Sequence, residues 1–175
     1  MNEKFYIPTL ETERLLLRAP QLDDFAGIAD FYASDHAKFV GGPVSAELAW
    51  RNLAQEAGHW VLRGFGRWSI VEKQSNGWIG SCGLWFPAGF PEIELGWDLA
   101  ERATGKGYAT EAAHAARDFA YQQLELTTLI SLVADGNDRS VAVALRLGAM
   151  LEGRFVHERI GELNVYRHPS PKDSA

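Results

Sequence analysis

Between residues 66 and 120 the hydrophobic pattern of this chain changes period, and a glycine pair sits at the change. Glu92-Ile93-Glu94-Leu95-Gly96-Trp97-Asp98-Leu99 alternates strictly. Ile93, Leu95, Trp97 and Leu99 therefore take one face of a strand, and Glu92, Glu94, Gly96 and Asp98 the other. Soon after, Ala109, Ala112, Ala113, Ala116, Phe119 and Ala120 recur at helical spacing, a narrow stripe of small residues that lets a helix lie close to a sheet. Gly105 and Gly107 lie between the two. Gly96, inside the strand, marks a distortion.

The flanking segments extend this order. Leu15-Leu16-Leu17 reads as a short buried strand ended by Pro20. Leu22, Phe25, Ile28, Ala29 and Tyr32 give a helix with Asp23 and Asp24 in its first turn. After the Gly41-Gly42-Pro43 break, Ser45 N-caps a second helix with Trp50, Leu53, Ala54, Ala57 and Val61 as its apolar stripe. Trp68 to Lys73 alternates, Asn76-Gly77 signals a hairpin, and Trp78 to Phe86 is the return strand. Beyond the alanine-rich helix come a strand over 128–134 and a short helix with Val141, Ala144 and Leu145 inward, closed by Gly148. Two strands around Met150–Val156 and Leu163–Arg167 finish the pattern. The expectation is one mixed α/β domain over 1–175, with about four helices and a frayed polar tail from about Pro169.

Composition bounds the function. At 175 residues and 46% hydrophobic content the chain can build a core without staples. Its net charge of −6 makes it a poor general nucleic-acid binder and a better partner for cationic groups such as amines. The single cysteine, Cys82, excludes an internal disulfide and a cysteine zinc site, and the five histidines show no metal spacing. No apolar run reaches the length of a signal peptide or a membrane span, so the expected location is the cytoplasm.

A glycine pair at a strand-to-helix junction suggests a phosphate site, because the first helical N–H groups are unpaired and glycine lets an anion approach the backbone closely. A nucleotide phosphate loop of Walker A type fails at Ala100 and at Gly107. A dinucleotide fingerprint fails at Thr110, and the preceding strand belongs to an antiparallel set. A third pattern fits in full. Arg102-x-x-Gly105-x-Gly107 matches the acyl-CoA loop of the GNAT N-acetyltransferase superfamily, which the chain resembles. The run Gly105-Lys106-Gly107-Tyr108-Ala109-Thr110-Glu111-Ala112 is typical of its RimJ/RimL-like branch. So are the opening Leu10-Glu11-Thr12-Glu13-Arg14-Leu15-Leu16-Leu17-Arg18 and Asn137-x-x-Ser140 followed by Leu147-Gly148. The resemblance runs from about Leu10 to Arg167.

The resemblance implies an acetyl-CoA-dependent transfer of an acetyl group to a primary amine, without metal. The pyrophosphate would rest on the amides of Gly105, Lys106, Gly107, Tyr108 and Ala109, with Arg102 and Lys106 adding charge and Thr110 within reach. The strand ending at Leu99 would splay from the next parallel strand, and the pantetheine arm would pair with main-chain groups near Trp97, Asp98 and Leu99. Glu94 matches the family's acidic residue and would accept the ammonium proton, with Glu92 as runner-up. Many members carry a tyrosine seven residues after the asparagine; here Ala144 stands there. Ser140 is the remaining hydroxyl for the thiol, and Asn137 would orient the arm. Trp85, Phe86 and Glu92 would border the acceptor, a protein N-terminus or a small amine, and a homodimer is compatible with family habit. The alternative of another class is a GNAT-fold module that senses acyl-CoA without turnover; a nucleotide phosphotransferase is a third, disfavoured by the failed Walker pattern.

Overall fold

The computed structural model describes residues 6–172. Its centre is an eight-stranded sheet in the order β1-β2-β3-β4-β5-β6-β8-β7. The strands are β1 Leu10–Glu11, β2 Leu15–Arg18, β3 Arg67–Glu72, β4 Gly77–Trp85, β5 Glu94–Leu99, β6 Ile130–Ala134, β7 Met150–His157 and β8 Gly161–Arg167. The helices are α1 Phe25–Ala33, α2 Ala46–Arg63, α3 Tyr108–Gln122 and α4 Asp138–Arg146. The mixed single-domain architecture and the element order match the sequence reading, with β1 and three single 3-10 segments added. Residues 173–175 of the expected tail lie outside the described residues; within it, the carbonyl of Pro169 accepts a 2.8 Å hydrogen bond from the Tyr121 hydroxyl.

The two faces of the sheet carry different helices. The alanine stripe of α3 is fully buried at Ala112, Ala113, Ala116 and Ala120, against Leu15, Leu17, Ile70, Cys82, Leu84 and Leu95. With methyl side chains only, the helix backbone comes close to the strands. The opposite face holds α1 and α2 through Ile28, Phe31, Tyr32, Ala49, Leu53 and Trp78. Ser45 does cap α2, accepting from the Leu48 N–H at 3.4 Å.

Three expectations need correction. The buried side of α2 is Ala49, Leu53, Glu56, His59 and Trp60, while Trp50 and Val61 are exposed. On this face the Glu56 carboxyl turns inward and lies 3.7 Å from Arg67 of β3. In α4, Val143 and Ala144 are buried and Leu145 faces solvent. Gly96 does not distort β5, whose register with β4 is continuous from Gly80↔Leu99 to Trp85↔Glu94. The irregularities lie at Ile70/Val71 and at Leu151/Gly153. Gly148 does end α4, at φ +78°.

One break in the sheet positions everything that follows. Among the described residues only β5 and β6 pair in parallel, and a single register pair, Glu94↔Ile130, joins them. Ile130 N–H donates to Ile93 O at 3.2 Å, and beyond that point side chains span the gap. Ser131 Oγ donates to Leu95 O at 2.6 Å, so the 2.9 Å contact with His168 Nε2 must have the imidazole as donor. Burial, aided by the charges of Arg117 and Arg167, pushes His168 down to about 3, so it stays neutral in this role.

Candidate active site

Beyond the point where β5 and β6 part, a cleft of about 1340 Å³ runs from Trp97, Asp98 and Leu99 past the start of α3 to the start of α4, walled on its other side by Phe31 and residues 34–40; Glu94 and β6 are not in its lining. Its floor is the glycine loop. Gly105 at φ +75° and Gly107 at φ +81° adopt left-handed backbone that other residues enter only with strain. A Cβ at Gly105 would meet nothing within 4 Å, so this main chain faces open space. Gly107 is the N-cap of α3, and its side provides no oxygen to the first helical amides. The hydroxyl of Thr110 lines the same cleft, is buried, and has no hydrogen-bond partner among the described residues. Free amides, an open cradle and an orphaned hydroxyl together fit an anionic phosphate group.

At the far wall, Asn137 caps α4 by accepting from the Ser140 N–H at 3.3 Å. This leaves the Ser140 hydroxyl on the first turn, and both residues line the cleft. Ala144, seven residues beyond Asn137, is fully buried against Val133, Ala149 and Tyr166, so the wall presents no phenol there.

Glu94 sits where the strands part. Leu132 N–H donates to its carboxylate at 3.2 Å, a bond the side chain supplies because the splayed backbone cannot. Burial pushes the Glu94 carboxyl up to about 7, against the opposing pull of the Leu132 N–H and of Arg67. Gly96, next on the same face, leaves bare backbone beside it: a Cβ there would lie 3.7 Å from the Glu94 carboxyl carbon.

The remaining predicted residues divide. Trp97, Asp98, Leu99, Gly105, Gly107, Tyr108, Ala109 and Thr110 all border the cleft. The Asp98 carboxylate turns to the Arg67 guanidinium at 2.5 Å. Arg102 donates to the Trp78 carbonyl and lies outside the cleft lining. Lys106 is exposed, its ammonium 5.8 Å from the Tyr108 ring. Glu92 precedes β5 rather than starting it. Arg167 grips its carboxylate with two bonds of 2.6 and 2.7 Å and holds its carboxyl below the usual range. Trp85 stacks on His59 of α2, centroids 4.5 Å apart at 21°. Phe86 lies under the Arg63 guanidinium and donates its N–H to His59 Nε2 at 3.0 Å. His59 Nδ1 must then carry the proton it donates to Phe65 O at 2.8 Å. Trp85 and Phe86 thus form a fixed wall around one imidazole, which burial keeps below its ordinary range.

Sequence reading missed the charges beneath this site. Glu56, Arg67 and Asp98 form a buried group, and burial pushes the Glu56 carboxyl up to about 7 despite Arg67. Arg14 and Glu111 form a second, partly exposed pair beside the glycine loop. Arginines and carboxylates so far apart in the chain carry no periodic signal. Among the described residues no cluster of His, Cys, Asp and Glu could hold a metal, and no helix is long and apolar enough to cross a membrane.

Comparison with known proteins agrees with this geometry. The profile of the acetyltransferase (GNAT) domain matches residues 14–150. The acetyltransferase from Agrobacterium tumefaciens is 40% identical, superposes with a TM-score of 0.85, and shares 96% of this chain and 98% of its own. A Bacillus licheniformis protein described as the uncharacterized N-acetyltransferase p20 is 29% identical over 149 residues, 83% of this chain and 84% of its own. RimL, a ribosomal alpha-N-protein acetyltransferase in complex with coenzyme A, shares the fold at 19% identity and a TM-score of 0.75, over 93% of this chain and 98% of its own.

Proposed function

The chain belongs to the GNAT acetyltransferase family, and on that premise we propose that it is an acetyl-CoA-dependent N-acetyltransferase acting on a primary amine, either a protein N-terminus or a small molecule. The observation that supports the proposal is the cleft at the end of β5, floored by the glycine loop and walled by the start of α4; Glu94 stands further back on the same strand, where β5 and β6 part.

Bound acetyl-CoA supplies the thioester. The amides from Gly105 to Ala109 and the Thr110 hydroxyl take the pyrophosphate, while Lys106 and Arg102 add positive charge around the loop. Main-chain groups at Trp97, Asp98 and Leu99 pair with the pantetheine arm, which Asn137 orients. Trp85 and Phe86 wall the acceptor, and Glu92, fixed by Arg167, contributes charge at the rim.

Glu94 accepts the ammonium proton, directly or through one water. With its carboxyl near 7, about half the molecules hold the ionised form at neutral pH, and the resulting acid is not too weak to release the proton again. The neutral amine attacks the carbonyl carbon, a C–N bond forms and the C–S bond breaks. In this reading the Ser140 hydroxyl hands its proton to the departing sulfur and regains one, through water, from the proton that the new amide nitrogen sheds. Release of free thiol by the purified protein, given acetyl-CoA and a panel of amines and N-terminal peptides, tests the proposal.

A second reading has one observation in its favour. The buried methyl of Ala144 stands where many family members have a tyrosine. A protein that binds coenzyme A yet turns over no amine in that panel would be a sensing module.

A further inference from the structure

The opening motif and the glycine loop, distant in sequence, meet at one ion pair. Glu111 is in the first turn of α3 and lines the cleft. Its carboxylate accepts from the Thr12 hydroxyl at 2.6 Å, from Arg14 N–H at 3.0 Å and from Arg14 Nε at 2.7 Å. A second arm of the same guanidinium, Nη1, donates to the carbonyl of Lys106 at 2.9 Å, in the middle of the loop. Its plane lies 4.6 Å from the Tyr108 ring centroid, and a Cβ on Gly107 would come within 3.5 Å of Nη2. One side chain therefore touches the loop at Lys106 and at Tyr108 and fills the space beside Gly107.

The electrostatics give this contact a function. A carboxylate in a first helical turn suits the helix dipole, yet beside a bound pyrophosphate it repels. Arg14 removes that charge while shaping the loop. We infer that Arg14 is a positioning residue for the acyl-CoA loop, and that it acts by neutralising Glu111 and by holding the Lys106 carbonyl turned away from the phosphate. This inference rests on the cofactor reading above.

Charge counting fixes the sign of each variant. Arg14→Ala leaves one uncompensated negative charge next to the phosphates; Glu111→Gln leaves one positive charge; the double variant is neutral like the wild type. Calorimetry with coenzyme A and steady-state kinetics with acetyl-CoA read the result. Arg14→Ala is expected to raise Kd and KM about tenfold with kcat within about threefold, and the loss shrinks as salt is added. Glu111→Gln is expected to bind as tightly as wild type or tighter. The double variant is expected to recover most of the loss, which a merely structural role would deepen. An unchanged Kd in Arg14→Ala, or a double variant no better than Arg14→Ala, overturns the inference. If Arg14→Ala is unfolded by circular dichroism, weakened binding in Glu111→Gln would overturn it equally. Wild-type protein that binds no coenzyme A overturns the cofactor reading and this inference with it.

Discussion

The backbone N–H of Leu132 on β6 donates to the side chain of Glu94 on β5, at 3.2 Å, across strands that no longer pair through their backbones. The same divergence that makes room for a ligand thus also recruits the carboxylate that would do the chemistry. Burial at this point, rather than a neighbouring anion, chiefly lifts its protonation range.

Glu94→Gln should lower kcat/KM by roughly a hundredfold or more. Wild-type activity should rise with pH and level off above about 7, because the ionised carboxylate is the active form. That limb should vanish in the variant. A pH–rate profile of both proteins decides it; a limb that persists in Glu94→Gln assigns the base elsewhere.

Glu92→Gln separates the two neighbouring acids. Arg167 of β8 holds Glu92 as well as Glu152 of β7, so the change loosens only the tie between β8 and the segment before β5. A partly exposed pair of this kind contributes no more than about 1 kcal/mol. Melting should shift by a few degrees at most while the pH–rate profile keeps its shape.

Two glycine substitutions should move stability in opposite directions. Gly107→Ala forces an L residue to φ +81° and should cost roughly 1–2 kcal/mol, with weaker coenzyme A binding. Gly58→Ala lies within α2, where a Cβ meets nothing within 4 Å, and should stabilise by about 0.5–1 kcal/mol. Urea titration of both gives the comparison.

Asn137→Ala removes the cap of α4 and should cost about 1 kcal/mol as well as activity. Ser140→Ala keeps that cap, since only its N–H uses Asn137. Its melting temperature should stay within a degree or two, while kcat falls about tenfold or more. Equal kcat in wild type and Ser140→Ala would leave solvent as the proton source.

The buried acids also govern stability against pH. Glu56 has its carboxyl at about 7 in the folded state and 4.5 as its ordinary value. Between those values the folded protein retains a proton that the unfolded chain has released, so stability falls as pH rises through the window. Around Glu56 stand Arg67, which opposes the shift, and Asp98 and Asp24, which reinforce it; Ser81 donates a hydrogen bond to the carboxylate. Glu56→Gln should lose less of its melting temperature between pH 5 and pH 8 than wild type does.

Local chemistry made part of this molecule readable in advance. The glycine loop and the alanine stripe announce themselves because left-handed backbone needs glycine and close helix–sheet contact needs methyl groups. The alternation of residues 93–99 puts Glu94 and Gly96 on one face of β5, as the structure has them, because successive strand residues point to opposite faces. Tertiary electrostatics defeated the rest. The buried stripe of α2 was not legible because it includes Glu56 and His59, polar residues that turn inward beside Ala49, Leu53 and Trp60. Glu92 stands as runner-up to Glu94 on the alternation alone, and its pairing with Arg167, 75 residues away, has no local signal. The pairing of Arg14 with Glu111 spans 97 residues, beyond any local pattern.

The seam between β5 and β6 has a mechanical consequence. Main-chain bonds run continuously through the strands on either side, but across the seam a few side chains and the start of one ladder carry the load. The eight strands are therefore expected to move as two plates, tied across the seam by the Glu94–Ile130 pairing and a few side chains, Arg167 on Glu92 among them. A molecule inserted there acts as a binding stitch. Amide exchange in β6 and β8 should slow when it is in place, although it touches few of the amides it protects.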